Sequence, residues 1–310
     1  MKKIVVPIII LCSVMLSACN DKTSQKLSSN SDFDGTVLEV NADGNMNNSD
    51  SVELGVPLSS LSPYEEPAKV AIKEQLGVKV PGEAKITSSS FDKTDSSLIF
   101  TWTVKGKNEY TDYYSVSFDN VNIKKGTGDV IYVRSQGVAA FMLTEKLTVS
   151  AINSFSNMLN TPIPEGSKLV VDISAYDGER SVSFNWWEPK QDMKATVAKY
   201  CAGYEQVNSD YSDATLVLLE TVEEENLLDK GKYTDNEIQE MRKSAEAFTF
   251  SKKIKTSGYA RYKIETPGER GNVAFYFNLK NNKYKSAIIY VNAKGKIVGF
   301  ALSANTATEN

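Results

Sequence analysis

The sequence Leu98-Ile99-Phe100-Thr101-Trp102-Thr103-Val104 alternates in a way that predicts a β-strand with one buried face. The even-numbered residues are large and apolar, and two of the three odd-numbered residues are threonines. Successive side chains of a strand point to opposite faces, so a period of two places the large apolar side chains together. A sheet built from such strands needs a second layer to cover its apolar face.

An amphipathic helix precedes this strand, and the order of helix then strands recurs twice along the chain. The helices are predicted at residues 65–76, 144–159 and 234–248, the last opened by a capping box of Thr234 and Glu237. Strands are predicted at residues 84–89, 98–104, 113–118, 129–133, 168–174, 181–187, 259–265, 273–279, 285–291 and 296–302. Residues 192–206 are predicted to be helical, and residues 215–221 fit a strand or a helix.

The fold class is therefore predicted as α+β, with repeated modules that each combine a helix with an antiparallel meander. Module 1 covers residues 63–140, and an incomplete module 2 covers residues 141–190. Residues 191–310 are predicted as a helical linker followed by module 3. The units recur at an irregular spacing of roughly 80 to 100 residues, which indicates domain-sized repetition rather than a solenoid.

Residues 1–18 have the build of an export signal, with Lys2 and Lys3 before an apolar run. The run is shorter than the roughly 20 apolar residues that a membrane-spanning helix needs. The following Leu16-Ser17-Ala18-Cys19 resembles the lipobox of bacterial lipoproteins. In that class the cysteine carries diacylglycerol and becomes the first residue of the mature chain. The resemblance implies that residues 1–18 are a signal peptide and that Cys19 is the site of lipid attachment.

A lipid at Cys19 implies an extracytoplasmic protein of the cell envelope that is anchored to a membrane. Asn20 follows the cysteine where many inner-membrane lipoproteins have aspartate, which favours the outer membrane if the host has two membranes. A host with one membrane would carry the protein on its outer leaflet, and both hosts stay open. Residues 19–62 are rich in Ser, Asn and Asp, so we expect a disordered, flexible tether between lipid and body.

Composition limits the classes of partner and of chemistry. Of the 35 basic residues two belong to the signal, which leaves 33 against 39 acidic residues, a net charge of −6. Such a chain without a basic block argues against nucleic acid as a partner. Histidine is absent, which excludes Ser-His-Asp and Cys-His hydrolases and the usual histidine zinc sites. We predict no catalytic residue, no metal site and no cofactor, and we interpret Cys201 as a small apolar residue rather than a nucleophile.

The end of the chain resembles the close of a PepSY-type domain. Tyr290-Val291-Asn292-Ala293-Lys294-Gly295-Lys296-Ile297 is similar to that family's final turn, although Asn292 replaces a common aspartate and Lys294 a threonine. The family packs an amphipathic helix on a curled antiparallel sheet. Its known members are secreted or membrane-tethered, and several act as inhibitory or chaperone-like modules of peptidases. The resemblance implies such a fold but assigns no functional residue.

Two aromatic residues are the predicted binding contacts. Val182, Phe184 and Trp186 share the parity of a buried face, so Trp187 should point outward, and Tyr176 lies next to the turn of the same hairpin. The first hypothesis is a non-enzymatic, lipid-anchored binding module whose partner is an envelope protein, a peptide or a glycan. The alternative is a carboxylate-dependent hydrolase of cell-wall polymers, which would need two acids roughly 5 to 10 Å apart.

Overall fold

The computed structural model describes residues 62–92, 96–105, 111–193, 196–222, 232–265, 270–281 and 283–305. The predicted signal peptide over residues 1–18 lies outside the described residues. The predicted tether over residues 19–62 does so too, apart from Ser62. In the described ranges, no helix combines the length and the apolar character that crossing a membrane requires.

Four α-helices lie within these ranges. They are α1 (Glu65–Leu76, after a 3-10 turn at Ser62–Tyr64), α2 (Val138–Leu143), α3 (Glu145–Ser154, continued by a π-helical turn at Phe155–Leu159) and α4 (Asp235–Ser251). Helix α4 begins with the predicted capping box, in which Thr234 and Glu237 each bind the other's backbone N–H. Helix α1 ends at Gly77, which takes the left-handed conformation that glycine adopts without strain.

The described residues form twelve strands, and every two strands that neighbour each other in the sheet are antiparallel. They are β1 (Lys85–Asp92), β2 (Ser97–Lys105), β3 (Thr111–Asn122), β4 (Thr127–Gln136), β5 (Lys168–Tyr176), β6 (Glu179–Trp187), β7 (Tyr200–Glu205), β8 (Thr215–Thr221), β9 (Thr256–Ile264), β10 (Val273–Leu279), β11 (Ser286–Val291) and β12 (Ile297–Ser303). They form one 12-stranded sheet in the order β1-β2-β3-β4-β5-β6-β7-β8-β12-β11-β10-β9. The protein is therefore mostly antiparallel sheet with a few helices.

This topology confirms a mixed fold of helices and antiparallel strands but does not support separate repeated modules. Strand β4 pairs with β5, and β8 pairs with β12, so each group of four strands continues into the next. The backbone N–H and C=O groups at an unpaired strand edge lack hydrogen-bond partners. The pairing of β4 with β5 and of β8 with β12 supplies those partners. The twelve strands thus share one sheet.

A single core lies between the helices and one face of the sheet. Leu98, Phe100 and Trp102 of β2 are buried there as predicted, with exposed fractions of 2% or less. The same core contains side chains from every described α-helix, among them Ile72 and Met241. The helices therefore cover one face, and we call the opposite face the open face.

Two local predictions are wrong. Residues 192–206 are not a helical linker, because β7 occupies Tyr200–Glu205 and the described residues between positions 192 and 199 contain no helix. Tyr200, Ala202 and Tyr204 are buried at alternate positions, which is the period of a strand. The apolar pattern of the helix predicted at residues 144–159 offers five residues for its core face: Leu147, Ile152, Phe155, Met158 and Leu159. Ile152 is instead 39% exposed, whereas the other four are buried or half-buried. Residues 215–221, left open between strand and helix, form β8.

Candidate functional site

The open face changes character across the sheet. From β2 to β6 it carries small hydroxyl side chains, which the strand register places on the parity opposite to the core: Thr101, Thr103, Ser115, Ser117, Ser174, Ser181 and Ser183. On β8, β12, β11 and β10 it carries an apolar patch, which consists of Leu218, Ala274, Tyr276, Ile288, Tyr290 and Ala301. The patch is a second hydrophobic cluster, separate from the core under the helices.

Cross-strand pairing builds the patch from two adjacent rows. In the first row Leu218 lies beside Ala301, Ala301 beside Ile288, and Ile288 beside Tyr276. Residues directly opposite each other in antiparallel strands have Cβ atoms about 5 Å apart, so their side chains touch. The row ends at Arg261 of the edge strand β9, whose guanidinium lies 4.6 Å from the centre of the Tyr276 ring. This cation–π contact gives the patch a positively charged rim.

The second row places a carboxyl beside a tyrosine ring. Glu220 lies opposite Gly299, and Gly299 lies opposite Tyr290. A Cβ atom at position 299 would stand 3.0 Å from the Tyr290 ring and 3.3 Å from the Leu219 carbonyl oxygen. The missing side chain therefore lets the Tyr290 ring lie across β12 toward Glu220.

The ionisable groups of this row have shifted acidities. Burial, assisted by the negative charge of Glu265, raises the pKa of Glu220 from 4.5 to about 7. Burial also raises the pKa of Glu265 and, with added repulsion from Glu265 and Glu220, that of Tyr290. A carboxyl with a pKa of about 7 exchanges its proton near neutral pH and can donate a hydrogen bond when it is protonated.

A buried ion pair lies on the open face away from the patch. Arg134 donates from Nε to Asp172 Oδ2 at 2.7 Å, and its Nη2 pairs with the same carboxylate. The exposed fractions of the two side chains are 11% and 14%. Burial raises the pKa of Asp172, and the attraction of Arg134 opposes that rise. The guanidinium also contacts Gln136 Oε1 and lies 5.8 Å from the Tyr113 ring centre. The pair fixes β4 against β5.

The two predicted contact residues do not form one site. Tyr176 is 56% exposed on the open face, while Trp187 is half-buried and donates from Nε1 to the Thr196 carbonyl at 2.9 Å. Trp187 pairs across the hairpin with Lys168, eight residues from Tyr176 on β5, which corresponds to about 26 Å along a strand. The prediction that Trp186 is the buried member of the pair is confirmed, with 3% exposure.

Cys201 lies in β7 directly opposite Glu220, with its side chain half-buried. A nucleophilic thiolate needs a positively charged neighbour, and a carboxyl does not supply one. Within the described ranges, no group of three His, Cys, Asp or Glu side chains could hold a metal ion.

Sequence reasoning missed Glu220, Arg261 and the patch itself. A signal was present in β10 and β11, because Val273-Ala274-Phe275-Tyr276-Phe277 and Ala287-Ile288-Ile289-Tyr290-Val291 are apolar at both parities. Continuous apolar runs indicate strands with two buried faces, whereas β2 buries its large residues on one. Glu220 gave no such signal among 39 acidic residues.

No family model, no curated protein and no solved structure matches this chain. The resemblances to bacterial lipoproteins and to the PepSY family therefore stay predictions from the sequence.

Proposed function

We propose that this chain is a non-enzymatic lipoprotein of the bacterial envelope that binds a partner through the apolar patch of its open face. Lipid on Cys19 anchors it outside the cytoplasm, at the outer membrane if the host has two membranes. The single observation that carries the binding role is the half-buried part of the apolar patch, Leu218, Tyr276 and Tyr290, on the sheet face opposite the described helices. The other members, Ala274, Ile288 and Ala301, are buried beneath or between them, with exposed fractions of 5% or less. The anchor rests on the sequence Leu16–Cys19.

The composition of the patch supports this role. Tyr and Arg are enriched among the residues that dominate binding energy at protein interfaces. Tyr276 and Tyr290 are half-buried in the isolated chain, so each ring still has surface for a partner to cover. Arg261 and Lys263 on β9 form a charged rim beside the apolar centre, an arrangement typical of protein interfaces.

The partner is an envelope protein, a peptide or a glycan. Tyrosine rings suit all three, since they combine a large apolar surface with a polar hydroxyl. The rim adds a preference for a partner with acidic groups opposite Arg261 and Lys263. The charge balance argues against nucleic acid as a partner, because the chain carries more acidic than basic residues.

Photo-crosslinking in intact cells tests the binding role. A photoreactive residue at Lys263 should give a discrete cross-linked product, and the same residue at Lys243 on the exposed side of α4 should not. The change Arg261→Glu should weaken the product at position 263 by about tenfold or more, as expected for an interfacial arginine. Equal products from both positions, or no effect of Arg261→Glu, would contradict the assignment. Fatty-acid labelling that persists in Cys19→Ser would contradict the anchor.

One observation favours the alternative, a carboxylate-dependent hydrolase. Glycosidases need one carboxyl that stays protonated near neutral pH, and the pKa of Glu220 is about 7. Glu265 is the second carboxyl, since its charge acts on Glu220. Turnover of cell-wall glycan that is lost in Glu220→Gln and retained in Glu240→Gln, an exposed position on α4, would establish this function in place of the first.

We also propose that helix followed by four strands is a recurring unit of the chain. The order of elements supports it, since β1–β4, β5–β8 and β9–β12 each follow one or two helices. The PepSY-like turn lies between β11 and β12, where Asn292 Oδ1 accepts hydrogen bonds from the backbone N–H groups of Lys294 and Lys296. This asparagine thus makes the turn contacts that an aspartate would make.

A further inference from the structure

Most of the large apolar side chains that the described residues expose lie on the helices. Of eleven such residues, eight belong to α1, α2, α3 or α4, and six of these lie within α2 and α3. We call the six the apolar helical surface: Val138, Phe141, Met142, Leu143, Val149 and Ile152. Met142 is 74% exposed, Val149 55% and Phe141 44%. Exposed apolar residues in such a group mark an interaction site, whereas single ones do not.

The segment around this surface carries few charges. Residues 138–157 include only Glu145 and Lys146, two charged residues in 20, whereas 24% of the whole chain is charged. Both charged residues are exposed, and the remaining exposed polar positions of α3 and its continuation are neutral: Ser150, Asn153, Ser156 and Asn157. A helical surface with exposed Phe, Met and Leu and only two charged residues fits the boundary between lipid headgroups and acyl chains, because few ions need to lose their water there.

The position of the anchor indicates what covers this surface. Between Cys19 and Ser62, where the described body begins, there are 43 residue steps. At no more than about 3.5 Å per residue, any conformation keeps Ser62 within about 150 Å of the lipid. Ser62 leads directly into α1, which packs on the same face of the sheet as α2 and α3. The chain therefore enters the body on its helical side.

We infer that the apolar helical surface rests on the lipid bilayer and inserts Phe141 and Met142 into its interface. This inference builds on the proposed lipoprotein function, because the lipid at Cys19 holds the body near the membrane. Helices and open face lie on opposite sides of the sheet, so contact through α2 and α3 turns the apolar patch of the open face away from the membrane. The lipid anchor fixes location, and the helical surface fixes orientation.

Vesicle flotation tests the inference on a mature chain that lacks the covalent lipid at Cys19. The chain from residue 19, carrying Cys19→Ser, is mixed with phosphatidylcholine vesicles, which have no net charge. We expect it to float with the vesicles and the double variant Phe141→Ser/Met142→Ser to partition about tenfold less, since each change removes an exposed apolar side chain that would insert into the bilayer interface. The pair Val149→Ser/Ile152→Ser should show a loss in the same direction. Tyr176→Ser, an exposed aromatic on the open face, is the matched control and should float like the parent.

Three results would overturn the inference. The first is a parent chain that stays in the soluble fraction, and the second is a double variant with a native near-ultraviolet spectrum that floats like the parent. The third is a lipid-free chain that sediments as a dimer and becomes monomeric in the double variant, which would make this surface a contact between two copies. Failure of the proposed function would appear elsewhere, as unchanged cross-linking in Arg261→Glu or unchanged labelling in Cys19→Ser.

Discussion

The change Glu220→Gln should stabilise the protein more at high pH than at low pH. Glu220 lies on the open face between Cys201 and Gly299, where burial and the charge of Glu265 disfavour its ionised form. Glutamine has nearly the same shape and no charge, so it removes the cost of ionisation and little else. Below pH 4.5 the wild-type carboxyl is protonated in both the folded and the unfolded state, and the two proteins should respond to pH alike.

The magnitude follows from the pKa of Glu220, which is 4.5 in the unfolded chain and about 7 in the folded protein. Between these values the folded state binds more protons, so the free energy of unfolding of the wild type falls as pH rises. The full difference corresponds to about 3 kcal/mol at about 1.4 kcal/mol per pH unit. Because Glu220 keeps part of its surface in solvent, we expect about 2 kcal/mol of relative stabilisation of Glu220→Gln at pH 8.

Urea unfolding followed by tryptophan fluorescence at pH 4, 5, 6, 7 and 8 measures the effect, since Trp102 and Trp186 are buried. The free-energy difference between Glu220→Gln and wild type should grow from pH 4.5 to 7 and then level off. Glu240→Gln, at an exposed position of α4, should show no such growth. A difference that is constant from pH 4 to 8 would refute the reasoning, because Glu220 would then titrate as it does in the unfolded chain.

Three stability predictions follow from the geometry. Gly137→Ala should lower the free energy of unfolding by about 3 kcal/mol, because φ is +113° and the new Cβ would stand 2.1 Å from Asp112 Oδ1. The control Gly82→Ala, at a position with open space around it, should change the free energy of unfolding by less than about 0.5 kcal/mol. Equal effects of the two changes would contradict the clash. Arg134→Leu should cost about 3 to 5 kcal/mol in urea unfolding, whereas Arg134→Leu with Asp172→Leu should recover most of that loss, and an unrecovered loss would show that the burial of the unpaired carboxyl is not the cause. Thr234→Ala should cost about 1 kcal/mol, with Thr234→Ser close to wild type, and a neutral alanine would mean that the cap contributes nothing to stability.

Local periodicity predicted most strands because burial on one face imposes it directly. The alternation at Leu98–Val104 became β2 with its large apolar residues in the core, and the run Val273–Leu279 became β10. The helix after Thr234 was predicted by chemistry that acts within four residues, the capping box. Each of these signals lies inside a short segment, so a single sequence carries it completely.

Strand β7 shows where local patterns fail. Its sequence Tyr200-Cys201-Ala202-Gly203-Tyr204 follows a stretch rich in Ala, Val and Lys, which are compatible with a helix. The strand forms because β6 and β8 pair with it on both sides. Pairing with neighbouring strands overrides the intrinsic propensity of the segment, and those strands lie outside the short stretch of sequence that a local pattern covers.

The single sheet and its open face could not be predicted for a related reason. The pairing of β8 with β12 joins residues near position 219 to residues near position 300. No periodicity specifies which edges meet, so the prediction stopped at separate modules. The acidity of Glu220 depends on the same pairing, since Gly299 and Tyr290 reach it only across β12. The candidate site is thus a product of tertiary contacts.

The order of strands also bears on how the chain assembles as it emerges amino terminus first. Strands β1 to β8 are neighbours in sequence and can pair in the order of their synthesis, but the second edge of β8 pairs only with β12, the last strand of the described residues. Until β12 is made, the backbone N–H and C=O groups on one edge of β8 are unpaired, so they can bind a wrong strand or another chain. The connection that closes it consists of three residue pairs, from Gly299 with Glu220 to Ala301 with Leu218. Synthesis of β12 is therefore the event that closes this edge of β8, and a chain released before Ile297 would keep the edge unpaired.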